Sequence, residues 1–130
     1  MVRTLQRINY STVNIKDFII GAGLFFIAQS LSWFQTNGQF LNQWVKDNPI
    51  IVAGLFGIPV GMAYIYGTTY VVQAFNGQLW PSRLTGFATG IFSFTILTYA
   101  FMKEGVNIKT GTILILAFVI VLLQVFWKYE

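Results

Sequence analysis

Six polar side chains interrupt long apolar stretches of this sequence, and they are the residues best placed to do chemistry. They carry amides or hydroxyls, which donate and accept hydrogen bonds while remaining uncharged near neutral pH. Inside a membrane, such groups could bind a neutral or weakly polar solute by hydrogen bonding. The candidates for a solute path are Gln29, Tyr66, Tyr70, Gln73, Thr89 and Gln124.

This chain has few residues that are suited to acid–base, redox or metal chemistry. The sequence has no histidine and no cysteine, so imidazole catalysis, thiolate catalysis, disulfides and zinc binding are excluded. It has four acidic residues, and each falls at a predicted helix boundary or at the C-terminus. We therefore expect no catalytic residue, no metal site, no cofactor and no enzymatic activity.

The elements that must hold the polar side chains are apolar helices of membrane-spanning length. Hydrophobic residues make up 55% of the 130 residues and charged residues 9%, whereas a soluble domain carries about 25% charged residues. At 1.5 Å per residue, about 20 residues of helix cross a hydrocarbon core of about 30 Å. The sequence predicts an all-α fold, an integral membrane four-helix bundle forming one domain over residues 1–130. We expect a cytoplasmic tail at 1–16 and helices at about 17–34, 49–75, 80–102 and 106–127.

Small residues are spaced for close packing between the second and third predicted helices. A ridge of small residues lets two helix backbones approach closely in a membrane. Pro59 removes one backbone hydrogen bond inside the second helix and predicts a bend near 57–59, either as a hinge or as an ordinary packing feature. The predicted packing residues are Gly57 and Gly61 on the second helix, and Ser82, Gly86, Gly90 and Ser93 on the third.

The connector between the first two predicted helices is unusually rich in amides and aromatic residues. Residues 32–44 have the sequence SWFQTNGQFLNQW. Two interpretations remain open for this run. It is either an aromatic belt with hydrated amides at the membrane surface or a polar vestibule that leads to a solute path.

The basic residues indicate contact with a lipid bilayer and give a preferred orientation. The net charge is +4, but the eight Lys and Arg residues form no stripe or arm, so nucleic-acid binding is not expected. Five basic residues against three favour cytoplasmic termini, in an inner or plasma membrane. With four spans, Arg3, Arg7, Lys16, Arg83 and Lys128 share a side with the termini, and Lys46, Lys103 and Lys109 lie opposite.

The C-terminal hairpin carries a resemblance to a known family. Leu79-Trp80-Pro81-Ser82 opens the third helix, which continues through Gly90, and Lys103-Glu104-Gly105-Val106-Asn107 forms a polar turn before an apolar last helix. This pattern, over about fifty residues, resembles the third and fourth helices of drug/metabolite transporters. Their small multidrug resistance branch also has four helices in slightly over a hundred residues, so the resemblance implies a transporter-like membrane bundle.

The chain departs from that branch at the position of its central chemistry. The branch exchanges protons for cationic drugs at a glutamate embedded in the first helix, whereas the interior of the first helix here has no acid and offers Gln29. Asp17 stands at the helix start, where it favours the positive end of the helix dipole. The last helix has only Gly111 and Ala117 as small residues, so the dimer contact of that branch is not expected.

The sequence leaves two functions open. The first is a transporter-like protein that passes a neutral or weakly polar solute without proton coupling. The alternative is a noncatalytic accessory or structural subunit of a membrane complex, or a small phage-type membrane protein. In both cases we expect a homo-oligomer or a partner membrane protein.

The predicted topology can be tested by cysteine accessibility, because the natural chain has no cysteine. Single cysteines at Asn37 and at Asn107 should react with an impermeant reagent added from outside the cell, since both lie opposite the cytoplasmic termini. Labelling of either position from the cytoplasmic side alone would show that the topology is wrong.

Overall fold

The computed structural model describes residues 13–127, so most of the predicted tail at 1–16 lies outside the described residues. Within that range the chain is all-α, with no strand. Four helices are long and apolar enough to cross a membrane, which confirms the predicted fold class. The elements are α1 (Ile15–Asn37), a 3-10 turn (Gly38–Phe40), α2 (Gln43–Asp47), α3 (Pro49–Ala74), α4 (Trp80–Met102) and α5 (Ile108–Phe126).

The bounds of α3 and α4 agree with the predicted spans within one residue, whereas α1 is longer than predicted at both ends. Its N-terminus is capped by Asn14, whose Oδ1 accepts a hydrogen bond from the Asp17 backbone N–H at 3.2 Å. At its C-terminus the Thr36 hydroxyl and the Asn37 amide donate to helix carbonyls one turn earlier. Polar side chains therefore prolong α1 instead of ending it near Phe34.

The first helix is the element on which the others assemble. Its longest contact is with α3 and its second longest is with α4, while α3 and α4 contact each other over a short stretch. Among the described helices, the backbone of α5 comes close only to α4. The order across the bundle is therefore α3, α1, α4, α5, and α5 buries little of its surface apart from Ala117.

The contact between α1 and α3 depends on two glycines at which the backbones nearly touch. A Cβ atom on Gly21 would lie 2.9 Å from the backbone nitrogen of Val71 and 3.0 Å from the carbonyl oxygen of Gly67. Phe25 packs against Gly67, where a Cβ would lie 2.9 Å from the Phe25 ring. Such close approach strengthens van der Waals packing, which drives helix association in lipid.

The predicted pairing of the second-helix glycines with the third membrane helix is wrong. A Cβ on Gly57, Gly61 or Gly86 would meet no other atom within 4 Å, apart from the helix's own backbone. The reason is the position of α1, which packs against both α3 and α4 and takes the place that α3 was expected to fill beside α4. Gly90 does meet a neighbour, but that neighbour is Gln29 of α1.

Pro59 does not interrupt α3, which remains helical from Pro49 to Ala74. The ring lies on the exposed side of the helix, away from the stripe formed by Val52, Val60 and Ala63. The side chain of Pro59 is thus outside the packed interior, and its role as a hinge stays a prediction.

The close contact at Gly21 gives a prediction with a control on the same helix. Gly21→Ala should lower the free energy of unfolding by about 1–3 kcal/mol, because the new methyl group meets backbone atoms of α3 that cannot rotate away. Gly23→Ala should leave stability unchanged or raise it by up to about 1 kcal/mol, since a Cβ there meets nothing within 4 Å and alanine favours helix. Unfolding in detergent, followed by circular dichroism, measures both. Equal stability of the two variants would contradict the packing.

Candidate functional site

The amide of Gln29 bridges α1 and α4 well inside the membrane-spanning part of the chain. Its Nε2 donates a hydrogen bond to the Gly86 carbonyl oxygen at 3.0 Å. Counted along α1, Gln29 lies about 12 Å from the end at Asn37 and about 21 Å from the start at Ile15, at 1.5 Å per residue. A half-buried amide is thus held at a depth where water does not normally reach.

Glycine at position 90 makes this arrangement possible. A Cβ there would lie 2.9 Å from Gln29 Cδ and 3.0 Å from Gln29 Oε1, so any larger residue would displace the Gln29 amide from its present position. The amide plane rests on the bare backbone of α4, and one turn earlier its nitrogen reaches the Gly86 carbonyl. That carbonyl also lies 3.0 Å from the Thr89 hydroxyl, which is shared with the Thr85 carbonyl at 2.9 Å.

Other polar side chains continue from Gln29 toward the connector along one face of α1. Residues spaced three and four apart lie on the same side of a helix, and here that side looks toward α4. We call this set the polar seam: Gln29, Ser32, Thr36 and Asn37 on α1, with Gly90 and Ser93 on α4. These residues, together with Trp33 and Phe94, line a cavity of about 160 Å³.

The hydrogen bonds of the polar seam turn most of its donors toward backbone carbonyls. The Thr36 hydroxyl donates to the Ser32 carbonyl at 2.9 Å, and the Ser93 hydroxyl donates to the Gly90 carbonyl at 3.2 Å. The Asn37 amide nitrogen donates to the Trp33 carbonyl at 3.1 Å and to Thr36 Oγ1 at 3.1 Å. Gln29 Oε1, in contrast, accepts no hydrogen bond from any residue that the structure describes.

An indole hydrogen bond fixes α1 against α4 beside the seam. Trp33, only 3% exposed, donates from Nε1 to Thr98 Oγ1 at 2.9 Å. Its ring meets those of Phe34 and Phe101, with centroids 5.2 and 5.8 Å away. A buried tryptophan needs a partner for its N–H, and Thr98 on α4 supplies it.

A second cavity, of about 440 Å³, is also lined by Gln29 and extends between α4 and α5. Its lining is mostly apolar, with Phe87, Phe94 and Ile113 among the wall residues. Gln29 and Gly90 line this cavity as well as the first. Neither lining includes a charged side chain among the described residues.

A third cavity, of about 250 Å³, lies at the connector end of α1 and carries the one charged side chain in these linings, Lys46. It shares Thr36 with the polar seam. Gln35, also in its lining, donates from Nε2 to the Ala53 carbonyl of α3 at 3.2 Å. Polar groups therefore surround the C-terminal end of α1 on the sides of both α3 and α4.

The six predicted path residues do not line one common cavity, although Gln29 and Thr89 share the Gly86 carbonyl. Gln29 lines two cavities, but the other five line none of the three described above. Tyr66 is 54% exposed and Gln73 is exposed on α3, while Tyr70 and Gln124 are half-buried. Thr89 donates back to the Thr85 and Gly86 carbonyls of its own helix.

Two seam residues that are not among the predicted path residues, Ser32 and Thr36, could have been identified from their spacing in the sequence. Ser32 and Thr36 follow Gln29 at helical spacing within the amide-rich run at 32–44, so extending α1 through that run would have placed them on one face. Ser93, which the sequence predicts as a packing residue, is buried and also lines the first cavity. Among residues 13–127 no group of His, Cys, Asp or Glu is arranged to hold a metal ion.

Comparison with known proteins adds no relative from which a role could be taken. No protein-family model, no curated protein and no solved structure matches this chain.

The contact between Gln29 and Gly90 can be tested with a double-mutant cycle. Gly90→Ala should lower the free energy of unfolding by about 1–3 kcal/mol, because the methyl group displaces the Gln29 amide from the Gly86 carbonyl. Combined with Gln29→Ala, the same change should cost little, since the clashing side chain is gone. Gly86→Ala, where a Cβ meets nothing within 4 Å, serves as the control. An equal cost of Gly90→Ala in both backgrounds would contradict the contact.

Proposed function

We propose that this membrane protein passes a small, neutral, polar solute across the bilayer along the polar seam, without proton coupling. The proposal includes cytoplasmic termini in an inner or plasma membrane. The observation that carries it is the position of Gln29, an amide deep in α1 that lines a cavity and whose Oε1 has no partner among the described residues.

The energetic argument starts from the cost of an unpaired polar group in hydrocarbon. A carbonyl-type oxygen that leaves water without gaining a hydrogen bond costs about 1–3 kcal/mol in protein mutational data. A cavity lined by several polar groups avoids that cost when it holds water or a polar solute. The seam joins Gln29 to the polar connector end of α1, which supports access for such molecules from that side.

The polar lining covers only part of the membrane thickness. Toward Ile15, the residues one helical turn before Gln29 are Phe25 and Phe26, which are apolar. Passage of a solute would therefore need a rearrangement of α1 against α4 below Gln29. This contact depends on side-chain hydrogen bonds from Gln29 and Trp33, whereas the α1–α3 contact uses backbones in direct approach.

Independence from protons is supported by the positions of the charged residues. All described Asp, Glu, Lys and Arg residues lie in connectors or in the end turns of helices. The polar seam itself contains amides and hydroxyls, which do not change charge near neutral pH. The proposal therefore keeps the transporter-like interpretation and sets aside both an enzymatic role and the proton exchange of the small multidrug resistance branch.

A second candidate function is an accessory role in a membrane complex, and one observation favours it. Gly54, Gly57 and Gly61 leave open space on the outer side of α3, where the helix of another subunit could approach closely. On this alternative, the purified protein would hold a partner or a second copy through α3 and would carry no solute. The mass of the purified protein in detergent should then fall in the variant Gly57→Leu, because the leucine would block the docking face of α3. An equal mass for both proteins would show that nothing is docked there.

The main proposal predicts solute flux that depends on one amide. In proteoliposomes the natural chain should speed the entry of small neutral solutes over empty vesicles. Gln29→Met should remove most of that increase, because it keeps the size of the side chain and deletes its hydrogen bonds. Gln73→Met is the matched control, since Gln73 is an exposed glutamine outside the seam, and it should behave as the natural chain does. Light scattering during osmotic swelling measures the rates.

The same vesicles test the absence of proton coupling. An imposed pH difference should change neither the direction nor the rate of flux, and no solute should accumulate against its gradient. Gln29→Glu places a titratable group at the same site and is the positive control for proton dependence. Accumulation driven by the pH gradient in the natural chain, and lost in Asp17→Asn, would restore proton exchange as the mechanism.

A further inference from the structure

Resting on the function proposed above, we propose that the polar seam selects small neutral solutes that are rich in N–H donors, of the urea and primary amide class. The argument uses the direction of each hydrogen bond at the seam, the absence of charge in its lining, and the size of its cavity.

Most donors of the polar seam are already used within the protein. The hydroxyl hydrogens of Thr36 and Ser93 point to backbone carbonyls, and the Asn37 amide donates twice. The Trp33 N–H is taken by Thr98. What remains as donors is the second N–H of Gln29 and the Ser32 hydroxyl, since neither has a bond within the described chain.

The acceptors of the seam are, in contrast, largely free. Gln29 Oε1 has no partner, and its identity as oxygen is set by the network, because the atom facing the Gly86 carbonyl must be the N–H₂ group. Asn37 Oδ1 and the lone pairs of Ser93 Oγ accept no bond from the described residues. A molecule in this cavity therefore meets more acceptors than donors, so it binds best if it donates.

The absence of charge in the lining disfavours a cation at this site. A cation at this depth loses its hydration shell, and a few uncharged oxygens replace that shell poorly. A neutral donor has a much smaller desolvation cost and can still donate to the free acceptors of the seam. The combination of free acceptors and no carboxylate thus favours neutral solutes over ammonium or guanidinium ions.

The size and shape of the cavity agree with a solute of a few non-hydrogen atoms. Its volume of about 160 Å³ accommodates several water molecules. Urea has four N–H donors for the free acceptors and one carbonyl oxygen for the remaining Gln29 N–H or the Ser32 hydroxyl. The flat urea molecule can also lie against the apolar part of the lining, which includes Trp33 and Phe94.

Three solutes with four non-hydrogen atoms each separate donor content from charge. Urea is neutral with donors, guanidinium is a cation with donors, and dimethyl sulfoxide is neutral with an acceptor only. The variant Ser32→Cys places a single cysteine in the cavity lining, because the natural chain has none. A solute bound in the cavity should slow the reaction of this cysteine with a small thiol reagent, measured on the protein in detergent. Gln43→Cys, exposed on α2 outside the seam, controls for direct effects of the solutes on the reagent.

We expect urea to slow labelling of Ser32→Cys by the factor 1 + [L]/Kd, about threefold at twice its Kd. Neither guanidinium nor dimethyl sulfoxide should protect at the same concentration, and Gln43→Cys should react equally with all three. Adding Gln29→Met, or Ser93→Ala where the first variant folds poorly, should weaken protection by urea. In proteoliposomes, protein-dependent entry of urea should exceed that of the other two solutes.

Each contrary result has a distinct meaning. Equal protection by dimethyl sulfoxide overturns the preference for donors, protection by guanidinium overturns the preference for neutral solutes, and no protection by urea overturns the site. Protection by urea without flux of any solute supports the site and overturns the transport function. Flux of other neutral solutes without protection by urea supports the transport function and overturns the site.

Discussion

The constraint on which this structure depends is that a polar group surrounded by hydrocarbon must find its hydrogen-bond partner within the protein. Several hydroxyls solve the problem locally: Thr69, Thr95 and Thr112 each donate to the carbonyl four residues earlier in their own helix. Among the buried side-chain oxygens and nitrogens of the described residues, only Thr85 Oγ1 has no partner. Gln29 and Trp33 instead find partners on α4. These two bonds fix how α4 sits against α1, and so they create the space between them.

The two sides of α1 use different kinds of contact, and this difference places the cavities. Toward α3, Gly21 and Gly67 bring the backbones together so closely that a methyl group would clash. Toward α4, the end of the Gln29 side chain lies against Gly90, and a cavity lined by both helices remains beside it. A backbone contact leaves no room for a solute, whereas a side-chain contact leaves gaps and can rearrange by rotamer changes. The polar seam therefore lies on the α4 side of α1.

The sequence predicted the membrane helices well because length and apolar composition decide them, but it could not predict which faces meet. Gly57 and Gly61 form a Gly-xxx-Gly motif and yet face outward, while the tight contact uses Gly21 and Gly67, neither of which is part of a Gly-xxx-Gly motif. A stripe of small residues shows what a helix face allows and says nothing about its neighbour. Gln29 was identifiable as the interior amide of α1, but the other seam residues required the extension of α1 and the position of α4.

An amide at position 29 needs different partners from those that a carboxylate would need at the same depth. A carboxylate at this depth needs a counter-charge or a proton, and the linings around Gln29 offer no cation. An amide needs only hydrogen bonds, and the Gly86 carbonyl supplies one while Oε1 stays available. The seam is thus stable without a partner ion, but it also has no charge that could change during a transport cycle. On the proposed function, the solute's own gradient is then the only driving force, and selectivity must come from the direction of hydrogen bonds at the seam.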